Sequence, residues 1–140
     1  IKMKKEWKDI ISKELGVEPI EICSSLVSMQ KRKRVYWTNI PNVTIPNDKQ
    51  LYLKEPIYEN FYKNRPEREY IKKSPTIRSG RQGLTVGIDK RKLNINEVEE
   101  LQNVPFNYTN HVSNAQRYKM LGNGFTVDII AHILSFIPQS

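Results

Sequence analysis

The chain has 140 residues, of which 38% are hydrophobic and 27% charged, and one is a cysteine. This length suits one ordinary domain with a usable core. A mean hydropathy of -0.62, with no long apolar run and no signal-peptide pattern, argues against a membrane protein. A single cysteine excludes an intrachain disulfide framework and fits a reducing compartment. We therefore expect a cytoplasmic protein with no membrane partner.

The formal net charge of +8 is unevenly distributed. Residues 1–47 hold 9 basic and 5 acidic side chains, residues 48–91 hold 11 and 6, and residues 92–140 hold 3 and 4. The excess is +4, +5 and -1. This pattern indicates that the first two thirds of the chain face a polyanion, while the last third faces protein or cofactor.

An amphipathic helix is predicted at the start, because apolar residues fall on one helical face before Gly16, which supplies the stop. The apolar positions are Met3, Trp7, Ile10, Ile11 and Leu15. Two strands follow, over residues 20–26 and 32–40.

The block Gln30–Asn39 combines these strands with charge. Strand alternation predicts that Gln30, Arg32 and Arg34 share one face as a polar, cationic row. The alternative is a solvated edge strand that its charges protect from aggregation.

Between residues 47 and 87, prolines and glycines replace any steady period, which predicts a loop-rich, partly β insertion. Its segment 74–87 contains Arg78, Arg81 and Gln82 among glycines. Arginine can read guanine and glutamine can read adenine by bidentate hydrogen bonds, so DNA recognition is one interpretation of this segment. The alternative is a flexible surface turn. The aromatic residues Tyr52, Tyr58, Phe61, Tyr62 and Tyr70 are expected to form a small core.

A short acidic helix follows, capped by Asn94 or Asn96. Its glutamates are Glu97, Glu99 and Glu100. No histidine or cysteine completes a metal site there, so we expect a solvated face with one internal ion pair. His111 and His132 are isolated, and we assign neither any chemistry.

The final predicted helix, residues 126–137, is apolar on most sides, which is typical of a buried helix. A chain of this size offers it little cover. This pattern suggests that another segment or a second copy of the chain packs against it, by self-association through exposed apolar surface.

Three segments in order resemble the C-terminal motifs of DNA (cytosine-5) methyltransferases of bacterial and phage type. The block Gln30–Asn39 is similar to the family's eighth motif, Arg91–Thr109 to the ninth, and Gly122-Asn123 to the tenth. The resemblance extends from about Glu21 to Pro138.

This resemblance implies an α/β fold, the C-terminal portion of a Rossmann-like domain with a small, irregular, partly β target-recognition insertion. The implied parts are catalytic residues 1–46, recognition residues 47–90, and residues 91–140, which return to the catalytic domain. An abundance of Lys, Asn and Ile hints at an A·T-rich genome, and hence at a bacterial or phage-infected cell.

The resemblance also implies site residues, and it favours Arg78, Arg81 and Gln82 in the recognition insertion as DNA contacts. Arg34 would bind the carbonyl oxygen of a flipped cytosine, while Arg32 and Gln30 would position the phosphate backbone and pocket wall. Asn123, Gly124 and Phe125 would contact S-adenosylmethionine, although Phe125 also suits core packing. The family's usual Gly-Asn-Ser-Val is here Gly-Asn-Gly-Phe. In the ninth motif, a structural contact from Arg91 to a glutamate is implied.

The family's Gly-rich loop, Pro-Cys nucleophile and Glu-Asn pair are missing from these 140 residues. Cys23 follows no proline and suits a small buried role. Three interpretations stay open: part of a methyltransferase completed in cis or in trans by an N-terminal half, a catalytically silent DNA-binding or regulatory homologue, or a generic basic nucleic-acid module. The first two imply double-stranded DNA as partner.

Overall fold

The computed structural model describes residues 3–60, 64–79 and 84–139. Within these ranges the helices are α1 (Lys5–Leu15), α2 (Ile95–Leu101), α3 (Asn114–Asn123) and α4 (Val127–Leu134), with a 3-10 turn at Ser24–Leu26. The strands are β1 (Pro19–Cys23), β2 (Lys33–Trp37), β3 (Ile57–Glu59), β4 (Arg68–Tyr70), β5 (Leu84–Val86) and β6 (Arg91–Lys92). This mixture of helices and small sheets agrees with the predicted α/β class.

Strands β1 and β2 form an antiparallel hairpin, in which Pro19 pairs with Trp37 and Cys23 with Lys33. Both predicted strands are confirmed, with shorter bounds. One face of the hairpin packs on α4, where buried Ile22 meets buried Ile129. This hairpin and α4 make the first of two small cores.

The second core lies under a four-stranded antiparallel sheet of order β4-β3-β5-β6. Most of its buried residues come from β3, β5, α2 and α3, such as Ile57, Leu84, Val98 and Leu121, and Ile77 and Leu93 join them from the connecting segments. Of the aromatic residues expected to form a core, Tyr70 packs against this cluster, whereas Tyr52 is 49% exposed. Tyr58 lies in β3 and is partly buried. Phe61 and Tyr62 lie outside the described residues. The predicted aromatic core is therefore wrong for Tyr52, because aliphatic side chains fill the space beneath the sheet.

Helix α1 is confirmed, and it ends at Gly16, whose φ of 70° is the left-handed conformation that glycine adopts most readily. None of its residues is buried. Trp7 and Leu15 are each 59% exposed. The hairpin touches this helix through polar groups, such as the Trp37 indole N–H that donates to Ser12 Oγ at 3.0 Å. The apolar face predicted from the sequence is thus present but uncovered.

Helix α4 is shorter than predicted and is buried along one side only. Ile129 and Ile133 are inside, while Val127 and Leu134 are 41% and 51% exposed. No helix among the described residues combines the length and apolar character needed to cross a bilayer.

Helix α2 begins with a reciprocal capping box, and the capping residue is Asn94. The Asn94 side chain accepts from the Glu97 backbone N–H at 2.9 Å, and the Glu97 carboxylate accepts from the Asn94 N–H at 2.8 Å. Arg91 Nη1 donates to the same carboxylate at 2.7 Å, as predicted for the ninth motif. These contacts join β6 to the start of α2.

Substitution of each of the two asparagines at the start of α2 tests which of them caps the helix. Asn94→Ala should lower the free energy of unfolding by about 1 kcal/mol, because the Glu97 N–H loses its acceptor. Asn96→Ala should cost less, since Asn96 Oδ1 is buried without a hydrogen-bond partner. Urea denaturation of both variants checks this. An Asn96→Ala cost equal to or larger than that of Asn94→Ala would contradict the assignment.

Candidate functional site

The structure separates the three residues of the predicted cationic row. Gln30 is fully buried, Arg32 is 4% exposed, and Arg34 is exposed. The predicted cationic row is wrong as an exposed row, because Gln30 and Arg32 are buried and only Arg34 lies within β2, which begins at Lys33. Gln30 instead lies before the strand, in an isolated parallel bridge with Ser74.

Ser74 belongs to a segment, Lys73–Ser79, that we call the stem because it leads into residues 80–83. Its backbone runs beside Met29 and Lys31: the Ser74 N–H donates to Met29 O at 2.7 Å, and the Lys31 N–H donates to Ser74 O at 2.8 Å. Lys73 Nζ donates to Ser28 O at 2.9 Å. The stem is therefore attached to the loop that joins β1 to β2.

Gln30 holds the stem from inside. Its Oε1 accepts from the Ile77 N–H at 2.9 Å, and its Nε2 donates to Leu101 O and to Gln102 Oε1, each at 3.1 Å. The Gln30 amide therefore joins the stem to the end of α2. Because the amide oxygen and nitrogen are both engaged in these hydrogen bonds, the Gln30 side chain directs no atom at solvent.

Arg32 binds the same stem residue, Ile77, at its backbone carbonyl. Its Nη1 donates to Ile77 O at 3.0 Å, and its Nη2 donates to Gly122 O at 2.9 Å and to Gly124 O at 3.1 Å. Burial, together with the nearby charge of Arg34, lowers the pKa of Arg32 to about 10. Among the described residues, no carboxylate lies within ion-pair distance of Arg32. Within the described part of the chain, the acceptors that compensate its charge are backbone carbonyls.

The stem also touches Gly122 directly. A Cβ placed on Gly122 would lie 2.3 Å from the Arg78 carbonyl carbon and 2.3 Å from the Ser79 nitrogen. Only a residue without a side chain fits there. The glycine that the sequence placed in the tenth motif is therefore required by packing of the stem.

Gln102 closes this buried network. Its Nε2 donates to Leu121 O at 2.7 Å, and its Oε1 accepts from Thr126 Oγ1 at 2.8 Å. The Thr126 hydroxyl also shares a 2.7 Å hydrogen bond with Ser24 Oγ. We call the side chains of Gln30, Arg32 and Gln102 the clamp. Gln102 lies within the segment that resembles the ninth motif, where its position in the sequence indicates no particular role.

A second buried polar group organises the loop after α2. Glu99 is fully buried, and its carboxylate accepts from the N–H groups of Asn107 and Thr109, each at 3.1 Å. Arg117 Nη2 lies 3.5 Å from the same carboxylate. The expected solvated face is wrong for Glu99, because this carboxylate orders loop residues 107–109 from within. Glu99 and Arg117 lie 18 residues apart in the chain, and no sequence pattern indicates that they would pair.

An open groove of about 850 Å³ lies between α1, β2 and the stem. Its lining residues are Met3, Lys8, Glu21, Lys33, Arg34, Val35, Trp37 and Thr76. Three of them are cations, and Lys33 Nζ lies 3.1 Å from a Glu21 carboxylate oxygen. Arg34 Nη1 donates to Lys33 O at 2.9 Å. The groove offers an anion a cationic wall beside an aromatic ring.

Cys23 does not line this groove. It ends β1 and is partly buried. Burial raises the pKa of the Cys23 thiol, but the Ser25 hydroxyl at 3.2 Å, backbone N–H donors and the Lys33 charge outweigh this, so that the pKa lies below its ordinary value. Among the described residues, no group of His, Cys, Asp and Glu is arranged to hold a metal ion.

The residues predicted to bind a cofactor, Asn123, Gly124 and Phe125, run from the last residue of α3 into the link to α4. Together with Gly122 we call them the 122–125 turn. Asn123 is exposed and Phe125 is 65% exposed. Gly124 faces inward: its N–H donates to Met120 O at 2.8 Å, and its carbonyl accepts from Arg32. The turn thus presents an amide and an aromatic ring on a buried support.

Arg78, predicted to contact DNA, is exposed at the end of the stem. Arg81 and Gln82, the other two predicted DNA contacts, lie outside the described residues. Arg78 and the groove residue Thr76 belong to the same stem, so the predicted reading loop begins beside the groove.

A comparison with protein families matches residues 2–139 to the model of the C-5 cytosine-specific DNA methylases. The match covers nearly the entire chain. It therefore contains the clamp, the groove and the 122–125 turn.

The contact between the stem and Gly122 predicts a large penalty for a single methyl group. Gly122→Ala should cost about 3 kcal/mol of unfolding free energy, because the stem backbone must move. Gly16→Ala should cost about 1 kcal/mol, since only its left-handed φ is unfavourable and no atom lies within 4 Å of the new methyl. Urea titration compares them. Equal costs would show that the stem does not pack on Gly122.

Proposed function

Because the chain belongs to the C-5 cytosine-specific DNA methylase family, we propose that it is the target-recognition and C-terminal portion of a DNA (cytosine-5) methyltransferase. Members of this family transfer a methyl group from S-adenosylmethionine to C5 of cytosine in DNA. The observation that carries the proposal is the clamp. It joins the three resembling motifs and the recognition stem in one buried network, while Arg34 stands in an open groove.

Double-stranded DNA is the proposed partner of the basic part of the chain. Residues 1–91 carry all of the positive excess, and the groove wall contributes Lys8, Lys33 and Arg34. Phosphate neutralisation by such residues supplies sequence-independent affinity. Arg78, Arg81 and Gln82 are the proposed readers of base edges.

Arg34 is the proposed contact to the flipped cytosine. Chemistry at C5 requires that the base leave the stack and enter a pocket. A guanidinium on the cytosine carbonyl oxygen stabilises the electron density that accumulates when a nucleophile adds to C6. Arg34 suits this role because it is exposed in the groove, in contrast to Gln30 and Arg32. We propose that these two act indirectly, by building the pocket wall and the stem.

The residues of the 122–125 turn fit S-adenosylmethionine, which supplies the methyl group. The Phe125 ring is 65% exposed beside the exposed Asn123 amide. An exposed aromatic face can stack on a purine, and an amide can bind its edge or the ribose. Gly124 supports both residues, because its carbonyl oxygen accepts a hydrogen bond from Arg32.

The nucleophile is proposed to come from another segment, in cis or in trans. These 140 residues hold one cysteine, which follows no proline and lies outside the groove lining. Exposed apolar residues on α1 and α4, including Trp7 and Leu134, offer this segment a surface. The proposed whole is a Rossmann-like domain of a bacterial or phage cytosine methyltransferase.

A catalytically silent DNA-binding or regulatory homologue is the second candidate. Residues 122–125 read Gly-Asn-Gly-Phe and lack the serine of the family's usual Gly-Asn-Ser-Val, and this departure favours it. It predicts DNA binding without methyl transfer even when every other segment is present.

The isolated chain should bind duplex DNA weakly and transfer no methyl group. Its affinity should fall about tenfold or more between about 50 and 200 mM salt, because bound phosphates release counterions. Fluorescence anisotropy at several salt concentrations measures binding, and transfer of a radiolabelled methyl group to DNA measures activity. Salt-independent binding would contradict the DNA-binding role, and methyl transfer would contradict an external nucleophile.

Substitution of Arg34 tests the target-base pocket in the complete enzyme. Arg34→Ala should lower kcat about 100-fold or more, because the stabilised charge develops during reaction. The Kd of S-adenosylmethionine, measured by calorimetry, should stay within about twofold, in keeping with a role at the base. Lys13→Ala on exposed α1 is the control and should keep turnover. An Arg34→Ala enzyme of unchanged kcat would remove Arg34 from the pocket.

A further inference from the structure

We propose that Arg32 is a positioning residue that couples the stem to the 122–125 turn, so that DNA binding and S-adenosylmethionine binding strengthen each other. The inference rests on the proposed function, since it takes the stem as the support of the DNA-reading loop and the turn as a cofactor contact. Arg32 touches neither ligand. It acts through the backbone of the two segments that do.

One guanidinium connects parts of the chain that are far apart in sequence. Arg32 Nη1 binds Ile77 O, 45 residues away, and Nη2 binds Gly122 O, 90 residues away. The planar fork of arginine fixes the angle between these donors. The separation of the two carbonyls is thus set by one rigid group.

The second link is steric and works at the same place. The Arg78–Ser79 peptide lies so close to the Gly122 Cα that no methyl group fits between them. Close-packed contacts transmit displacement because they leave no slack. A shift of the stem toward DNA must therefore move the 122–125 turn or open this contact.

The buried charge of Arg32 makes the position of the stem and the position of the 122–125 turn depend on each other. Arg32 is 4% exposed, and its bonds to the carbonyls of Ile77, Gly122 and Gly124 replace hydration. Withdrawal of either segment would leave a buried cation short of acceptors, which is costly. The clamp is most favourable when both segments are in place.

This dependence fixes the sign of the coupling. A ligand that orders the stem also orders the turn, so the second ligand loses less conformational entropy when it binds. Linkage makes the effect reciprocal: DNA must tighten cofactor binding by the same factor as the cofactor tightens DNA binding. We expect a factor of about 5 or more, the lower end of typical coupling.

The test measures this factor in the complete protein that contains this chain. Calorimetry gives the Kd of S-adenosylmethionine with and without a short duplex that the wild type selects from a random-sequence pool, and the Kd of that duplex with and without S-adenosylmethionine. Arg32→Lys keeps the charge but loses the fork. Arg68→Lys, on the exposed strand β4, is the matched control.

In the wild type and Arg68→Lys, both ratios should be equal and about 5 or more. In Arg32→Lys both ratios should approach 1. Amide hydrogen exchange of the wild type, measured without cofactor, gives a readout that needs no variant. Addition of the duplex alone should slow exchange at the amides of Gly122 and Gly124. A fold defect that merely weakened both ligands would leave the ratio unchanged.

Ratios of 1 in the wild type, or a wild-type ratio in folded Arg32→Lys, would overturn the inference and leave the proposed function standing. If Arg32→Lys does not fold, unchanged exchange at the 122–125 turn on addition of the duplex overturns it. A wild type that binds neither DNA nor S-adenosylmethionine would refute the proposed function itself, and the inference would fall with it.

Discussion

The burial of a positive charge that has no carboxylate partner among the described residues is the constraint on which this structure depends. Arg32 donates to carbonyl oxygens of Ile77, Gly122 and Gly124, and each of these must point at it for the charge to be tolerated. Three segments, distant in sequence, are therefore held in one arrangement. These bonds position the stem and the 122–125 turn, together with the apolar packing of Ile77 and Leu121 in the second core.

The clamp also joins two cores that would be weak alone. A two-stranded hairpin such as β1–β2 is marginal by itself, and strands β3, β4, β5 and β6 have three residues or fewer. Gln102 reaches both cores, since it binds Leu121 O in one and Thr126 Oγ1 beside the other. A fully satisfied polar network between small cores specifies one relative arrangement, which apolar surfaces alone would leave loosely defined.

Local features of the fold could be predicted from sequence because their causes lie within a few residues. Periodicity placed α1, glycine ended it, and Asn94 opened α2 with a glutamate at the matching position. The burial of Gln30, Arg32 and Glu99 could not be predicted, since alternation records side-chain direction and not what lies opposite. Their partners are up to 92 residues away. The exposure of the apolar face of α1 could not be predicted either, because an apolar stripe does not indicate what packs against it.

The block Gln30–Asn39 thus contains two kinds of polar residue at a spacing of two. Gln30 and Arg32 direct their hydrogen-bonding groups at backbone groups and, for Gln30, also at the Gln102 side chain inside the protein, whereas Arg34 lies in the groove. A buried amide and a buried guanidinium tolerate little change, because each substitution leaves several partners unsatisfied. An exposed guanidinium tolerates change in the fold and is constrained by what it binds. Side chains in one motif can therefore differ in role: Gln30 and Arg32 hold the fold together from inside, whereas Arg34 is exposed for its proposed contact with the target base.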